Sequence, residues 1–384
     1  MDKKWVAGFG TSSTFIYAKD CRYIKDKTFR YVVYPTMSAE AVRIRFSNYL
    51  NDEKTVISKV SVAKTSTEFS ENVIKDTVVP VTFGGRRELV MEAGQKDAVS
   101  DEIAFTVNPG EKFSVSLYFK EMTFLRTGHA NSGRYIEKSA LDGDYADEAE
   151  FPLELLEDAP PYAFFYGVDF LTEAKNSAIV AFGDSITAQP WPDCLAHRLA
   201  DLGITDRSVI RRGISGNRVL GEYTAVLKRH YGKTGVDRFE DDVTTVAGAD
   251  RVFVLHGIND MYHPRENDRY YCSVRLPSAD EIIAGLKKYV EIAHRHGLKI
   301  YIATILPCKK LSTLSGDRPA IRRAVNEWII NNKDADGYID FSAAVASKED
   351  PEAIELIYDR GDTLHPSFEG AEQLANSIPE EFLR

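Results

Sequence analysis

Cysteine is scarce in this chain of 384 residues: Cys21, Cys194, Cys272 and Cys308 are the only four. No two of them form a C-x-x-C pair, which excludes a zinc knuckle and a dithiol redox motif. So few thiols in so long a chain fit a reducing compartment. Long apolar runs are missing too. No stretch reaches the ~18 to 20 residues that cross a bilayer, so no membrane helix is expected. The opening segment "MDKKWVAGFGTSS" has two lysines, but glycines break the apolar stretch behind them, and it reads as no signal-peptide core. The expected location is the cytoplasm. Positive charge is in deficit, with 48 Lys and Arg against 58 Asp and Glu for a net charge of -10. That balance excludes the basic footprint of a nucleic-acid binder. Metal patterns are also lacking. There is no HExxH, and "NKDADG" at 332–337 opens like a calcium loop but meets Ala343 where a bidentate Glu is required. His294 and His296 stand at the end of a helical pattern, where cations are favoured without any metal. Neither a metal nor a cofactor is expected.

What is present is globular: 43% hydrophobic and 28% charged residues. The length suggests two domains. The first ~160 residues alternate with period two. Val42, Ile44 and Phe46 oppose Arg43 and Arg45. Phe113, Val115, Leu117 and Phe119 oppose Ser114, Ser116, Tyr118 and Lys120. Turns such as Asn51-Asp52, Gly84-Gly85 and Asn108-Pro109-Gly110 separate such runs. A β-sandwich of jelly-roll type is the reading for residues 1–165, closing in an acidic linker that contains Pro160-Pro161. The aromatic run "YAFFYGVDF" from Tyr162 to Phe170 reads as interdomain packing.

From residue 166 to 384 the period changes. Strand-like runs at 178–182, 208–210, 252–255, 299–305 and 337–339 alternate with helical patterns. The clearest helix starts at Ser278, with Glu281 completing a capping box. Its apolar stripe runs through Ile282, Ile283, Leu286, Tyr289, Val290 and Ala293. Alternating strands and helices imply a parallel sheet covered on both faces, and ligands bind beyond the carboxyl ends of such strands.

Polar, glycine-containing turns follow the first three strands: Gly183-Asp184-Ser185, then "RRGISGNRVL", then "HGIND". A fourth, "YDRGDTLHPSFEG", precedes the last helix. Their chemistry is complementary. Ser185 is a nucleophile if a base takes its proton. His365 can be that base, and Asp362, three residues earlier, can orient it. The backbone N–H groups of Ser185 and Gly216 and the side-chain amide of Asn259 can form an oxyanion hole. Asp260-Met261-Tyr262-His263 is a second D-x-x-H, and it directly follows the third strand. Ser215 is a turn residue, since Asn217 spoils a G-x-S-x-G elbow. Asp184, Trp191, Arg218 and His263 are expected around the substrate, with Trp191 as an apolar wall and His263 at the rim.

These blocks, carrying Ser185, Gly216, Asn259 and the Asp362/His365 pair, resemble the SGNH (GDSL-type) hydrolase superfamily in order and spacing. The strings "GISGNRVL" and "GDTLHPSFEGAEQLA" are similar to one bacterial group with an N-terminal β-sandwich. The resemblance implies a flavodoxin-like α/β/α domain, metal-independent ester hydrolysis through an acyl-enzyme, and an Asp260 that braces its own loop. It also implies an acetylated oligosaccharide, such as one from xylan or mannan, as substrate. The alternative is a lysophospholipase- or arylesterase-like acylhydrolase. A sugar-binding protein and an acyltransferase are the rivals from other classes.

Overall fold

The computed structural model describes residues 2–16, 21–129, 134–221, 223, 225–264, 275–314 and 316–384. Cys272 lies outside them. The chain divides into two units, Met1–Asn176 with Thr205–Ser208, and Ser177–Ile204 with Val209–Arg384.

The first unit is built on antiparallel strands. One sheet runs in the order Lys3–Gly10, Phe165–Glu173, Ala39–Phe46, Ala98–Val99, with Ile103–Val107 also paired to Ala39–Phe46. The other runs Lys138–Asp142, Lys27–Val33, Phe113–Phe119, Lys59–Lys64, Val79–Val81. Aromatic rings join them. Tyr31 stacks on Phe165 at 5.9 Å, and Phe113 meets Phe170 at 6.2 Å. The period-two reading holds at Val42, Ile44 and Phe46, all inaccessible, while Arg43 and Arg45 pair with Asp169. It needs one amendment. Ser114, Ser116 and Tyr118 are buried too, because the opposite face of their strand is covered. Buried Arg30 lies on that face. Its Nε donates to Ser116 Oγ at 2.9 Å, and its other nitrogens reach the carbonyls of Glu71 at 2.7 Å and Glu148 at 2.6 Å. The guanidinium also stacks 3.8 Å above the Phe151 ring. The acidic segment is thus tied down through its backbone carbonyls.

The expected boundary at residue 165 is corrected. Phe165–Glu173, most of which was read into the second domain, is an inner strand of the first unit, hydrogen-bonded to Lys3–Gly10 on one side and Ala39–Phe46 on the other. Both of its faces are largely covered, so its sequence shows no alternation. The unit accordingly extends to Asn176.

The second unit has a five-stranded sheet in the order Arg207–Gly213, Ser177–Gly183, Ala249–Leu255, Lys299–Ala303, Gly337–Ile339. All five expected strands are present, and the three pairings from Ser177–Gly183 through to Gly337–Ile339 are parallel. In chain order this is 2-1-3-4-5, the flavodoxin-like arrangement, with its switch point between the first and third strands. Helices cover both faces. Trp191–Asp201 packs with Phe368–Ser377, and Ala279–Arg295 packs with Gly235–Phe239 and Arg318–Asn331. Ala279–Arg295 begins with the expected Ser278/Glu281 capping box. Its Tyr289 stacks on Phe239 at 4.6 Å, and both rings meet Phe182 edge-on from the sheet. Among the described residues no helix is long and apolar enough to cross a membrane.

The strand assignment at 165–173 predicts a specific cost. Phe165 is fully buried against Phe9, Tyr31 and Tyr162. Phe165→Ala should destabilise the first unit by about 3–5 kcal/mol in a denaturant titration, whereas a surface linker would lose no more than about 0.5 kcal/mol.

Candidate active site

The first strand of the parallel sheet ends at Gly183, and the chain turns at once into the short helix Ser185–Ala188. Asp184 caps it, with Oδ1 accepting from Ile186 N at 3.0 Å. Close packing fixes this turn. A Cβ at Gly183 would collide with the Leu255 carbonyl oxygen and with Thr187 Oγ1. The second strand-end loop abuts it, as Ile214 N donates to the Gly183 carbonyl at 3.2 Å.

Buried Arg238 holds these pieces together. It donates to the Gly183 carbonyl at 2.6 Å, to the Arg212 carbonyl at 3.1 Å and to Asn217 Oδ1 at 2.8 Å. Asp242 neutralises it at 2.6 Å. The third loop joins through two neighbours. Asn259 Nδ2 donates to the Asn217 carbonyl at 3.0 Å, and Asp260 accepts from Val219 N at 2.7 Å and Leu220 N at 3.0 Å. Gly216 sits in this loop with φ of 75°, in the left-handed region, where a side chain would also strike the Tyr231 ring.

The fourth turn completes the set. Ser185 Oγ lies 2.8 Å from His365 Nε2, and His365 Nδ1 lies 2.7 Å from Asp362 Oδ2. Asp362 Oδ1 accepts from Leu364 N at 3.0 Å and His365 N at 2.8 Å. Arg360 Nε reaches Oδ2 at 3.0 Å. The carboxylate is thereby saturated, with two donors on each oxygen. Burial works to raise its pKa, but the His365 and Arg360 contacts outweigh this and hold it well below the usual carboxylate range. An ionised Asp362 can only accept. His365 Nδ1 therefore carries the proton, and Nε2 presents its lone pair to the Ser185 hydroxyl. Burial pushes the His365 pKa down, Asp362 pulls it up, and Arg360 and Lys310 add to the depression. The net direction is downward, which keeps the ring neutral.

Two further carboxyls lie beneath the site. Burial pushes Asp184 up to about 7 and Asp260 up to about 6. Among the described residues Asp184 Oδ2 is buried without a hydrogen-bond partner, which suits a protonated carboxyl.

Ser185, Asp362 and His365 are thus joined as the sequence suggests, and the Gly216 and Asn259 loops are tied to the same strand ends. Asp260 braces the Val219–Leu220 stretch of the second loop, where a brace of its own loop was expected. The four residues expected around the substrate are all buried. Asp184 is the cap just described. Trp191 is 1% exposed, edge-on to Phe341 and 3.4 Å from Thr187 Oγ1. Arg218 is buried, with its guanidinium 5.0 Å from the Tyr223 ring centre. His263 is buried rather than at a rim. It hydrogen-bonds through Nδ1 to the Tyr223 hydroxyl, which also reaches the Gly216 carbonyl. Arg238, Tyr223 and Arg360 escape sequence reasoning. Only Arg360 carries a signal, a cation two residues before Asp362.

The model of the GDSL-like lipase/acylhydrolase family matches residues 181–373, just over half of the 384-residue chain. Among curated proteins, none matches. Among solved structures the chain is similar to a putative acylhydrolase from Bacteroides fragilis. That likeness has 19% identity, 55% of this chain and 90% of that one covered, and a TM-score of 0.40. An acetyl xylan esterase shows 19% identity over 52% of this chain and 97% of that one, with a TM-score of 0.38. An aryl esterase of M. smegmatis shows 15% identity over 54% and 98%, with a TM-score of 0.41.

The bracing role of Asp260 can be measured. Asp260→Ala leaves the Val219 and Leu220 amides without their acceptor. It should cost about 1–3 kcal/mol for each amide that stays buried. A variant with an unchanged thermal unfolding midpoint would remove that role.

Proposed function

The chain belongs to the GDSL-like lipase/acylhydrolase family and is an SGNH-type ester hydrolase, and from that premise we propose that Ser185, His365 and Asp362 carry out its chemistry by an acyl-enzyme route. The observation that carries this reading is the unbroken chain of hydrogen bonds from Ser185 Oγ through His365 to Asp362. As the Ser185 oxygen attacks the ester carbonyl, its proton passes to His365 Nε2. Asp362 stabilises the imidazolium through Nδ1–H. The tetrahedral oxyanion takes the backbone N–H groups of Ser185 and Gly216 and a side-chain N–H of Asn259. That amide has two N–H groups, and one is committed to the Asn217 carbonyl, so the other serves the oxyanion. The imidazolium then protonates the leaving alcohol. Water, deprotonated by the same nitrogen, hydrolyses the acyl-enzyme and restores Ser185.

The substrate class is a short acyl ester, an O-acetyl group on an oligosaccharide. What supports it is the likeness of "GISGNRVL" and "GDTLHPSFEGAEQLA" to the two-domain group with a preceding β-sandwich. On this reading the first unit is a jelly-roll-like accessory domain.

The test is acetate release from acetylated xylo- and manno-oligosaccharides. Wild type should release acetate, and Ser185→Ala should lower turnover at least about a thousandfold. Rates on model esters should drop sharply beyond propionyl. Release confined to long-chain esters would replace the sugar reading with a lipid acylhydrolase.

The pH profile tests the base. The pKa of His365 lies below its ordinary 6.5, and only the neutral ring accepts a proton. Hydrolysis should therefore keep more than half of its plateau rate at pH 6.5, with the midpoint of its acid limb below that pH. His365→Ala should abolish that profile with nearly all turnover, while His263→Ala should retain much of it. An acid limb centred above 6.5 would count against the assignment.

A further inference from the structure

Asp362 Oδ2 serves two side chains at once. It accepts from His365 Nδ1, and both Nε and Nη2 of Arg360 lie within hydrogen-bonding reach, at 3.0 Å and 2.9 Å. The three side chains belong to one tight loop. Asp359 Oδ1 accepts from Gly361 N at 2.8 Å and Thr363 N at 3.0 Å, and Arg360 N donates to the His365 carbonyl at 3.2 Å. Thr363 is held there at φ of 59°, a left-handed conformation that a β-branched residue avoids. We propose that Arg360 is a positioning residue that sets the proton affinity of His365, acting through the carboxylate oxygen the two share. This rests on the reading of His365 as the general base.

Arg360 is not needed to hold the carboxylate. Two backbone amides and the imidazole already fix Asp362. Nor is it a buried strut, since its side chain is 47% exposed. Among the described residues its guanidinium has no ion pair except Asp362. Its remaining effect is electrostatic and has two parts of one sign. It withdraws carboxylate charge from the imidazolium, and it repels the imidazolium directly. Two other charged groups act on the ring: Asp362 itself, which favours protonation, and Lys310, on the helix Lys309–Thr313, which opposes it. Arg360 tilts this balance toward the neutral base, so that hydrolysis extends into mildly acidic solution.

The experiment compares wild type, Arg360→Gln and Arg360→Lys. The first readout is the acid-limb midpoint of kcat/KM for phenyl acetate, followed by pH-stat at low and at high salt. The second is the NMR titration of the His365 ring, assigned with His365→Gln, which requires no turnover. In Arg360→Gln both midpoints should rise by about 0.5 pH unit or more, roughly a threefold gain in proton affinity. Arg360→Lys should fall between the two. The difference should shrink as salt is raised, because Arg360 is half exposed. An unmoved His365 titration in Arg360→Gln would overturn the proposal, even if turnover drops. Failure of the underlying reading would look different: hydrolysis would survive in Ser185→Ala while the NMR comparison still reported on Arg360.

Discussion

Arg238 gathers the carbonyl of Gly183, the carbonyl of Arg212 and the side chain of Asn217 onto one buried guanidinium. Everything at the carboxyl end of the sheet depends on that junction. A parallel sheet leaves its strand-end carbonyls unpaired where the chain turns away, and a buried unpaired carbonyl is costly. The fixed fork of donors on arginine satisfies several acceptors from separate loops in one step. The Ser185 turn and the Gly216 loop are therefore located relative to each other by the same group. Asn259 follows through the Asn217 carbonyl. The positive charge is tolerated because Asp242 pairs with it and the Phe182 ring lies 4.0 Å from it.

The carboxylates divide by surroundings rather than by residue type. Asp362 is surrounded by donors and is held as an anion. Asp184 and Asp260 lie below the site, and burial raises both. Asp362 thus holds a firm negative charge against His365, where it favours imidazolium during acyl transfer. Carboxylates closer to the Ser185 backbone would oppose a developing oxyanion, and Asp184, the nearest in sequence, is the one driven furthest toward its neutral form.

Much of this was legible in the sequence because the signals were local. The strand-then-turn pattern located all five strands of the second sheet, and the order of polar turns located Ser185, Asp362 and His365. The capping box at Ser278 is a contact between residues three apart. What escaped depends on distant partners. Phe165–Glu173 has no alternation because strands on either side and covered faces bury it, so it resembles a linker with aromatics. Arg238 reads as a surface cation until the carbonyls it meets, 26 and 55 residues earlier, are in place. His263 was expected at the rim because its D-x-x-H spacing follows a strand, yet its loop turns the ring inward onto Tyr223.

The Ser185–His365 contact spans 180 residues of chain. At roughly 5–20 residues per second of synthesis, the serine precedes the histidine by about 10–40 s. During that interval the nascent chain carries a serine hydroxyl with no base, and the parallel sheet can form around it without hydrolytic capacity. The hydrogen bond between serine and histidine needs the loop ahead of Phe368–Ser377, which is made after the Ser185 turn. The long sequence separation thus places four of the five strands of the parallel sheet between nucleophile and base in the order of synthesis.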